Sequence, residues 1–269
     1  MKLFLQILLP LLLFSSCGKF QKVLQSDDYN YKYDQAIMYY EKEDYNRAIL
    51  LFNELSTVMK GTDKIQAVSF YYAYCNYFTG DNLMAAYLFR NHTLNFPNSK
   101  FNEECAYMGA YCYYNEAPIY SLDPTNTYKA IKQLQSFIDR YPTSDRIEEC
   151  NSLIDELRAN LSLKAFENAK QYYTTSNYKS AIIALDNVLI DFPSFTNREE
   201  VHFLIVKSTY LLAINSINAK VEERLIATLD AYAHFKDNYP DSYFLKELEI
   251  TYINTQTTLN KLKKKTDEI

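Results

Sequence analysis

An aromatic residue, a small or β-branched residue three positions on and a tyrosine four beyond that recur five times in this chain. The sets are Tyr33/Ala36/Tyr40, Phe70/Ala73/Tyr77, Tyr107/Ala110/Tyr114, Phe166/Ala169/Tyr173 and Phe203/Val206/Tyr210, with starts 37, 37, 59 and 37 residues apart. Offsets of three and four place each set on one face of an α-helix. A supersecondary unit recurring at this length predicts an all-α helical solenoid, a fold whose concave surface serves binding more readily than catalysis.

A second helix in each repeat carries its own marks. Ala48/Phe52, Ala85/Phe89, Ala130/Leu134, Ala181/Leu185 and Thr228/Tyr232 keep a small-to-large step of four residues. Eight residues beyond the large one stand Pro97, Pro142, Pro193 and Pro240, each followed by Ser, Asn, Asp or Thr. Proline cannot continue a helix and disfavours helical geometry before it, and the polar residues after it can cap the next helix. Repeat 1 has Lys60-Gly61 in place of proline, and glycine also terminates helices.

These marks resemble the tetratricopeptide repeat (TPR), a helix–turn–helix module with small residues where its helices cross and a proline at its end. The resemblance spans roughly residues 29–260. Repeats 1–3 are placed at 29–144 and repeats 4 and 5 at 165–242, with 243–269 as a capping helix and basic tail. Repeat 3 is expected to carry an inter-helix insertion, Asn115 to Thr127, and repeat 5 another near Asn215 to Val221. The stretch 145–174 lacks Pro and Gly and reads as one long helix running into repeat 4.

The amino terminus speaks to location. Met1-Lys2, an apolar run from Leu3 to Phe14 and Ser15-Ser16 describe a secretory signal peptide over 1–16, too short for a membrane-spanning helix. Cys17 at the cleavage point resembles the lipobox of bacterial lipoproteins, although Phe14 stands where leucine is usual. The resemblance implies acylation of Cys17, a linker over 17–28 and several acyl chains, which anchor a protein stably. Gly18 in place of an inner-membrane retention aspartate points to the outer membrane, periplasmic face. An ordinary secreted chain with an incidental cysteine is the alternative. Cys75 and Cys112 hold equivalent positions in neighbouring repeats, as do Cys105 and Cys150. Helices pack about 8–10 Å apart, beyond a disulfide's reach, so free buried thiols are expected.

No catalytic constellation stands out. His92, His202 and His234 are isolated in sequence, no His/Cys pair has zinc-finger spacing, and no glycine loop could cradle phosphate. Glu103-Glu104, Glu148-Glu149 and Glu199-Glu200 lie at helix starts, where negative charge complements the helix dipole. No enzyme, metal or cofactor is implied. A net charge of −5 gives no basic footprint for nucleic acid. The run Lys261-Leu262-Lys263-Lys264-Lys265 reads as a solvated helix end, with an anionic-lipid contact as the alternative.

Aromatic content does stand out: 26 Tyr and 16 Phe without tryptophan. Tyr33, Tyr40, Phe70, Tyr74, Tyr77, Tyr107, Tyr111 and Tyr114 are the candidate binding residues, on the inner helix face of repeats 1–3. Tyrosine suits a wet binding surface because its ring is apolar and its hydroxyl needs a partner. The same rings could instead be inter-repeat core, and both readings stand open.

A lipoprotein signal before five TPR-like repeats resembles the BamD (ComL) family, lipoproteins of the outer-membrane β-barrel assembly machine. The tract Tyr33 to Phe52, with Ala36, Tyr39-Tyr40, Tyr45 and Ala48, looks like that family's first repeat, and the turn from Asn98 to Glu104 also fits. The resemblance implies a non-catalytic scaffold. Its amino-terminal repeats would face unfolded outer-membrane proteins, and its carboxy-terminal repeats would bind a BamA-type barrel protein through a POTRA domain. Further assembly-machine subunits are possible partners. The rival resemblance is to SusD-like or other TPR lipoproteins that serve a nutrient transporter or cell-wall complex; missing tryptophan argues mildly against sugar binding.

Overall fold

The computed structural model describes residues 15–267, of which 15–17 and 265–267 are described by backbone alone. Residues 1–14 of the expected signal peptide and the side chain of Cys17 lie outside what it describes. Among the described residues there are twelve α-helices and no strand: α1 (Ser15–Leu24), α2 (Tyr29–Glu41), α3 (Tyr45–Val58), α4 (Ile65–Phe78), α5 (Asn82–Asn95), α6 (Asn102–Asn115), α7 (Thr125–Arg140), α8 (Ile147–Thr174), α9 (Tyr178–Asp191), α10 (Arg198–Ile214), α11 (Asn218–Asn238) and α12 (Leu245–Asp267). The fold is all-α, a TPR-like series of helix–turn–helix repeats.

Local chemistry sets the helix ends. Asp28, Asp44 and Asp81 accept backbone N–H bonds at the starts of α2, α3 and α5, satisfying donors that have no intrahelical partner. The turns within repeats 1, 2 and 4 share one left-handed residue, Glu43 (φ 59°), Gly80 (φ 83°) and Ser176 (φ 61°). Only Gly80 adopts that region without a Cβ penalty. After three of the four proline turns a serine hydroxyl accepts from the backbone two residues on: Ser99 from Phe101, Ser144 from Arg146 and Ser242 from Phe244. Gly61, in place of the missing proline, sits at φ 86°.

The small residues lie where paired helices cross. Ala36 with Ala48, Ala73 with Ala85, Ala110 with Ala130, Ala169 with Ala181 and Val206 with Thr228 are all buried. Large neighbours fill the space around them, chiefly Phe52, Phe89, Phe137, Phe166 and Phe235. Each such side chain contributes about 1.5–3 kcal/mol relative to exposure. The four cysteines from Cys75 to Cys150 are buried and free. Burial pushes the thiols of Cys75, Cys105 and Cys112 up to about 12 and that of Cys150 up to about 11.

The chain divides into two compact units, one ending at Leu157 and the other beginning at Arg158. The first holds α1–α7 and the first part of α8; the second holds the rest of α8 and α9–α12. The segment between α6 and α7 covers 116–124 and contains Pro118 and Pro124. Repeat 5 departs from expectation. No long loop separates its helices, because α10 runs 17 residues and α11 runs 21, leaving only 215–217 between them. With no Pro or Gly in this stretch, the extra residues lengthen the helices instead. Asn215 and Ser216 close α10 by donating to the carbonyls of Leu211 and Leu212.

Candidate functional site

In the first compact unit α2, α4 and α6 present their aromatic faces side by side. None of the eight candidate residues is fully exposed. Tyr107, at 3 % exposure, is core. Tyr33, Tyr40, Phe70, Tyr74, Tyr77, Tyr111 and Tyr114 are half-buried, packed by one side and open at one edge. Along α6, Tyr107, Tyr111 and Tyr114 stack at centroid spacings of 5.7 Å. Tyr74 packs on Phe70 at 4.9 Å and edge-on to buried Phe89 at 5.1 Å. Tyr40 meets Tyr71 of the next repeat at 4.8 Å. Tyr33 carries the Lys64 ammonium 4.7 Å above its ring.

Carboxylates of the following repeat hold the hydroxyls. Tyr74 donates to Glu104, which also accepts from Arg146 at 2.6 Å. The Arg146 guanidinium lies 3.9 Å above the Tyr107 ring, and Tyr107 donates to Glu149 at 2.7 Å. Tyr114 donates to Glu156 at 2.8 Å. Burial, then the Glu104 bond, holds the Tyr74 hydroxyl far above the usual range for a phenol; burial and Glu149 do the same to Tyr107. Tyr114 is pushed up to about 12 chiefly by its bond to Glu156, and Tyr40 to about 12 by burial. Burial also raises Tyr33 and Tyr77. These phenols are therefore neutral, and those of Tyr74, Tyr107 and Tyr114 act as donors.

The acidic pairs after the proline turns do more than complement a helix dipole. An acid seven residues beyond each proline, the second of a pair in three of the four turns, takes a donor from the preceding repeat. Tyr74 serves Glu104, Tyr107 serves Glu149, Lys170 serves Glu200 at 2.7 Å and Lys207 serves Glu247 at 2.9 Å. The constant distance from proline was visible in the sequence; the donor is set by how adjacent repeats stack.

Phe78 also belongs to the aromatic face and escaped the sequence pattern, because it falls one position after the repeating tyrosine. It is 46 % exposed, stacks on Tyr45 at 4.8 Å and on Tyr74 at 5.7 Å, and lies 6.3 Å from Tyr40. It is the most open ring among the neighbours of the half-buried set and bridges repeats 1 and 2. Elsewhere in the same compact unit, Ser56, Lys60, Tyr72, Asn91 and Asn95 help line a cleft of about 440 Å³ between α3, α4 and α5. In the second unit His202 and His234 face each other at 4.9 Å, and burial lowers His202 to about 4. No group of three His, Cys, Asp or Glu among the described residues is placed to hold a metal ion.

Two solved structures similar to this chain are helical repeat domains. One is the TPR domain of P58(IPK), 13% identical, with a TM-score of 0.42 over 92% of this chain and 68% of that one. Another is the TPR2AB domain of yeast Sti1 in complex with pHSP90, 15% identical, with a TM-score of 0.39 over 85% of this chain and 98% of that one. No curated protein matches the sequence. The family model described as an outer membrane lipoprotein, YfiO, matches residues 25–222, from the end of α1 into α11. With the match covering well over half of the sequence, the chain belongs to the YfiO family of outer membrane lipoproteins.

Proposed function

We propose that this protein is a non-catalytic scaffold of outer-membrane β-barrel assembly, of the BamD type. Acylation at Cys17 holds it to the outer membrane on the periplasmic side. The first compact unit receives an unfolded outer-membrane protein on the face that carries Tyr40, Tyr74, Phe78 and Tyr111. The region of repeats 4 and 5 docks a BamA-type POTRA and barrel protein. Further assembly subunits would join the same complex.

The observation that carries the proposal is the row of tyrosines and phenylalanines with open edges across α2, α4 and α6, in a chain of an outer membrane lipoprotein family. Such a row suits an extended polypeptide with alternating apolar and polar side chains. Rings take the apolar ones, and water at the ring edges tolerates the rest. Release follows as the segment's backbone bonds are taken up by the growing sheet, with no nucleotide or cofactor required.

Pull-down from detergent-solubilised outer membranes tests the assignment. Recovery of a POTRA-containing barrel protein, lost when residues after Asp191 are deleted, is the expected outcome. Recovery of a nutrient transporter instead would move the protein to the SusD-like class.

A further inference from the structure

We infer that one edge of the first compact unit docks on the lipid surface, with Ile119 and Leu122 entering the boundary between headgroups and acyl chains. The inference rests on the lipid-anchor reading above and adds to it a surface that nothing in the family description assigns.

Contacts between helix ends define the edge. Tyr40, Tyr45 and Phe78 cluster where α2 ends, α3 begins and α4 ends. Asn82, at the start of α5, donates to the Glu116 carboxylate just after α6, at 3.0 Å. Asn126, at the start of α7, donates to the Glu116 carbonyl at 3.4 Å. These helix ends therefore share one edge, and the insertion 116–124 is part of it.

The first helix runs towards the same edge. At the far edge, where α2 begins, Lys32 donates to the carbonyl of Leu24 at the end of α1, at 3.0 Å. Towards its beginning, Phe20 packs on Tyr39 at 5.4 Å, beneath the Arg47 guanidinium at 5.5 Å. So α1 lies antiparallel to α2, and its amino-terminal end points to the edge that carries the insertion. An anchor on Cys17 would hold this edge against the bilayer.

The edge is apolar where it is most open. Ile119 is 67 % and Leu122 58 % exposed; Tyr120 of the same insertion, Leu83 at the start of α5 and Tyr128 at the start of α7 are exposed as well. Exposed apolar residues scattered singly need no explanation, but a group of them on one edge marks an interaction surface. Aliphatic side chains flanked by tyrosines match the bilayer boundary, where tyrosine sits at headgroup level. The charges specify the lipid. At these helix ends Glu41, Glu43, Asp44, Asp81, Glu116 and Asp123 outnumber Lys42, Arg47 and Lys129, so the edge suits a zwitterionic surface and gains nothing from anionic lipid.

The chain has no tryptophan, so a single introduced one reports its own environment. The lipidated chain, carrying Ile119→Trp, would be reconstituted into phosphatidylcholine vesicles with bromine-labelled acyl chains. Leu94→Trp, 64 % exposed near the carboxy-terminal end of α5 at the opposite edge, is the control. Expected for position 119 are a blue shift and quenching, strongest with bromines about 5–10 Å below the headgroups. Salt should not change the signal, phosphatidylglycerol should not increase it, and position 94 should stay unquenched. Vesicle-bound protein whose tryptophan at 119 is as unquenched as that at 94 would overturn the docking edge alone and leave the anchor standing. Protein that does not associate with vesicles would overturn both.

Discussion

The two compact units solve the same stacking problem with different side chains. Four residues beyond the leading aromatic, the first unit has tyrosine at 74 and 111, and the second has lysine at 170 and 207. Tyr74, Lys170 and Lys207 each reach the carboxylate seven residues beyond the next proline. An aliphatic chain with an ammonium makes the same inter-repeat contact as a phenol does. The stack therefore does not require an aromatic ring at this position. That difference underlies the proposal that the first unit's face serves contact as well as stability.

The largest effect should come from a ring the structure places wholly in the stack. Tyr107→Ala removes a buried side chain that supports Arg146 and Glu149, and should cost about 3–5 kcal/mol by denaturant unfolding. A cost below about 1 kcal/mol would mean that this ring, too, belongs to an open face.

Acid should strain the first unit more than the second. His92 is fully buried; its Nε2 meets the Ser99 hydroxyl at 3.0 Å and its Nδ1 has no protein partner. Burial lowers it from 6.5 to about 4, so the unfolded chain binds the proton first as pH falls. Stability is then full above about pH 6.5 and declines towards pH 4, by about 3 kcal/mol. His202 is lowered too but is half-buried beside His234, so its share is smaller. Hydrogen exchange at pH 7 and pH 5 should show the greater loss of protection in α5 and α6; equal loss in both units would erase this contrast.

The latches predict smaller changes. Tyr74→Phe leaves Glu104 paired with Arg146 and should cost about 0.5–1.5 kcal/mol. Lys170→Met breaks a partly exposed pair with Glu200 and should cost about 0–1 kcal/mol, less at high salt. A large penalty for Lys170→Met alone would mean that the two units are not held by equivalent bonds. Phe78→Ala should cost about 1 kcal/mol, because the ring is nearly half exposed while its covered side stacks on Tyr45 and Tyr74.

Much of the fold could be read from the chain. Small residues at 36, 48, 73, 85, 110, 130, 169 and 181 mark helix crossings because only a small side chain fits where two backbones approach closely. The proline turns marked the helix ends for the same local reason. Less legible was anything fixed between repeats. Glu104, Glu149 and Glu200 look like helix-start charges until the neighbouring repeat supplies their donors. The lengthened helices of repeat 5 were hidden because added residues without Pro or Gly can form loop or helix alike. The aromatic set was legible as a face, while the exposure of each ring depends on the next helix. That is how Tyr107 became core and Phe78, one position out of pattern, became the open ring.

The central claim is that the aromatic face of the first unit, and not its counterpart in the second, receives unfolded outer-membrane protein. Photo-crosslinking tests it most directly. A photoreactive amino acid would be placed at Phe78 or Tyr111, and separately at Lys170 or Lys207, in membranes that are assembling a barrel protein. Strong crosslinks to the unfolded substrate are expected from 78 and 111 and little from 170 and 207, with Phe78→Ala weakening capture in protein that is still folded. Equal crosslinking from all four positions, or crosslinks confined to the lysine positions, would contradict it.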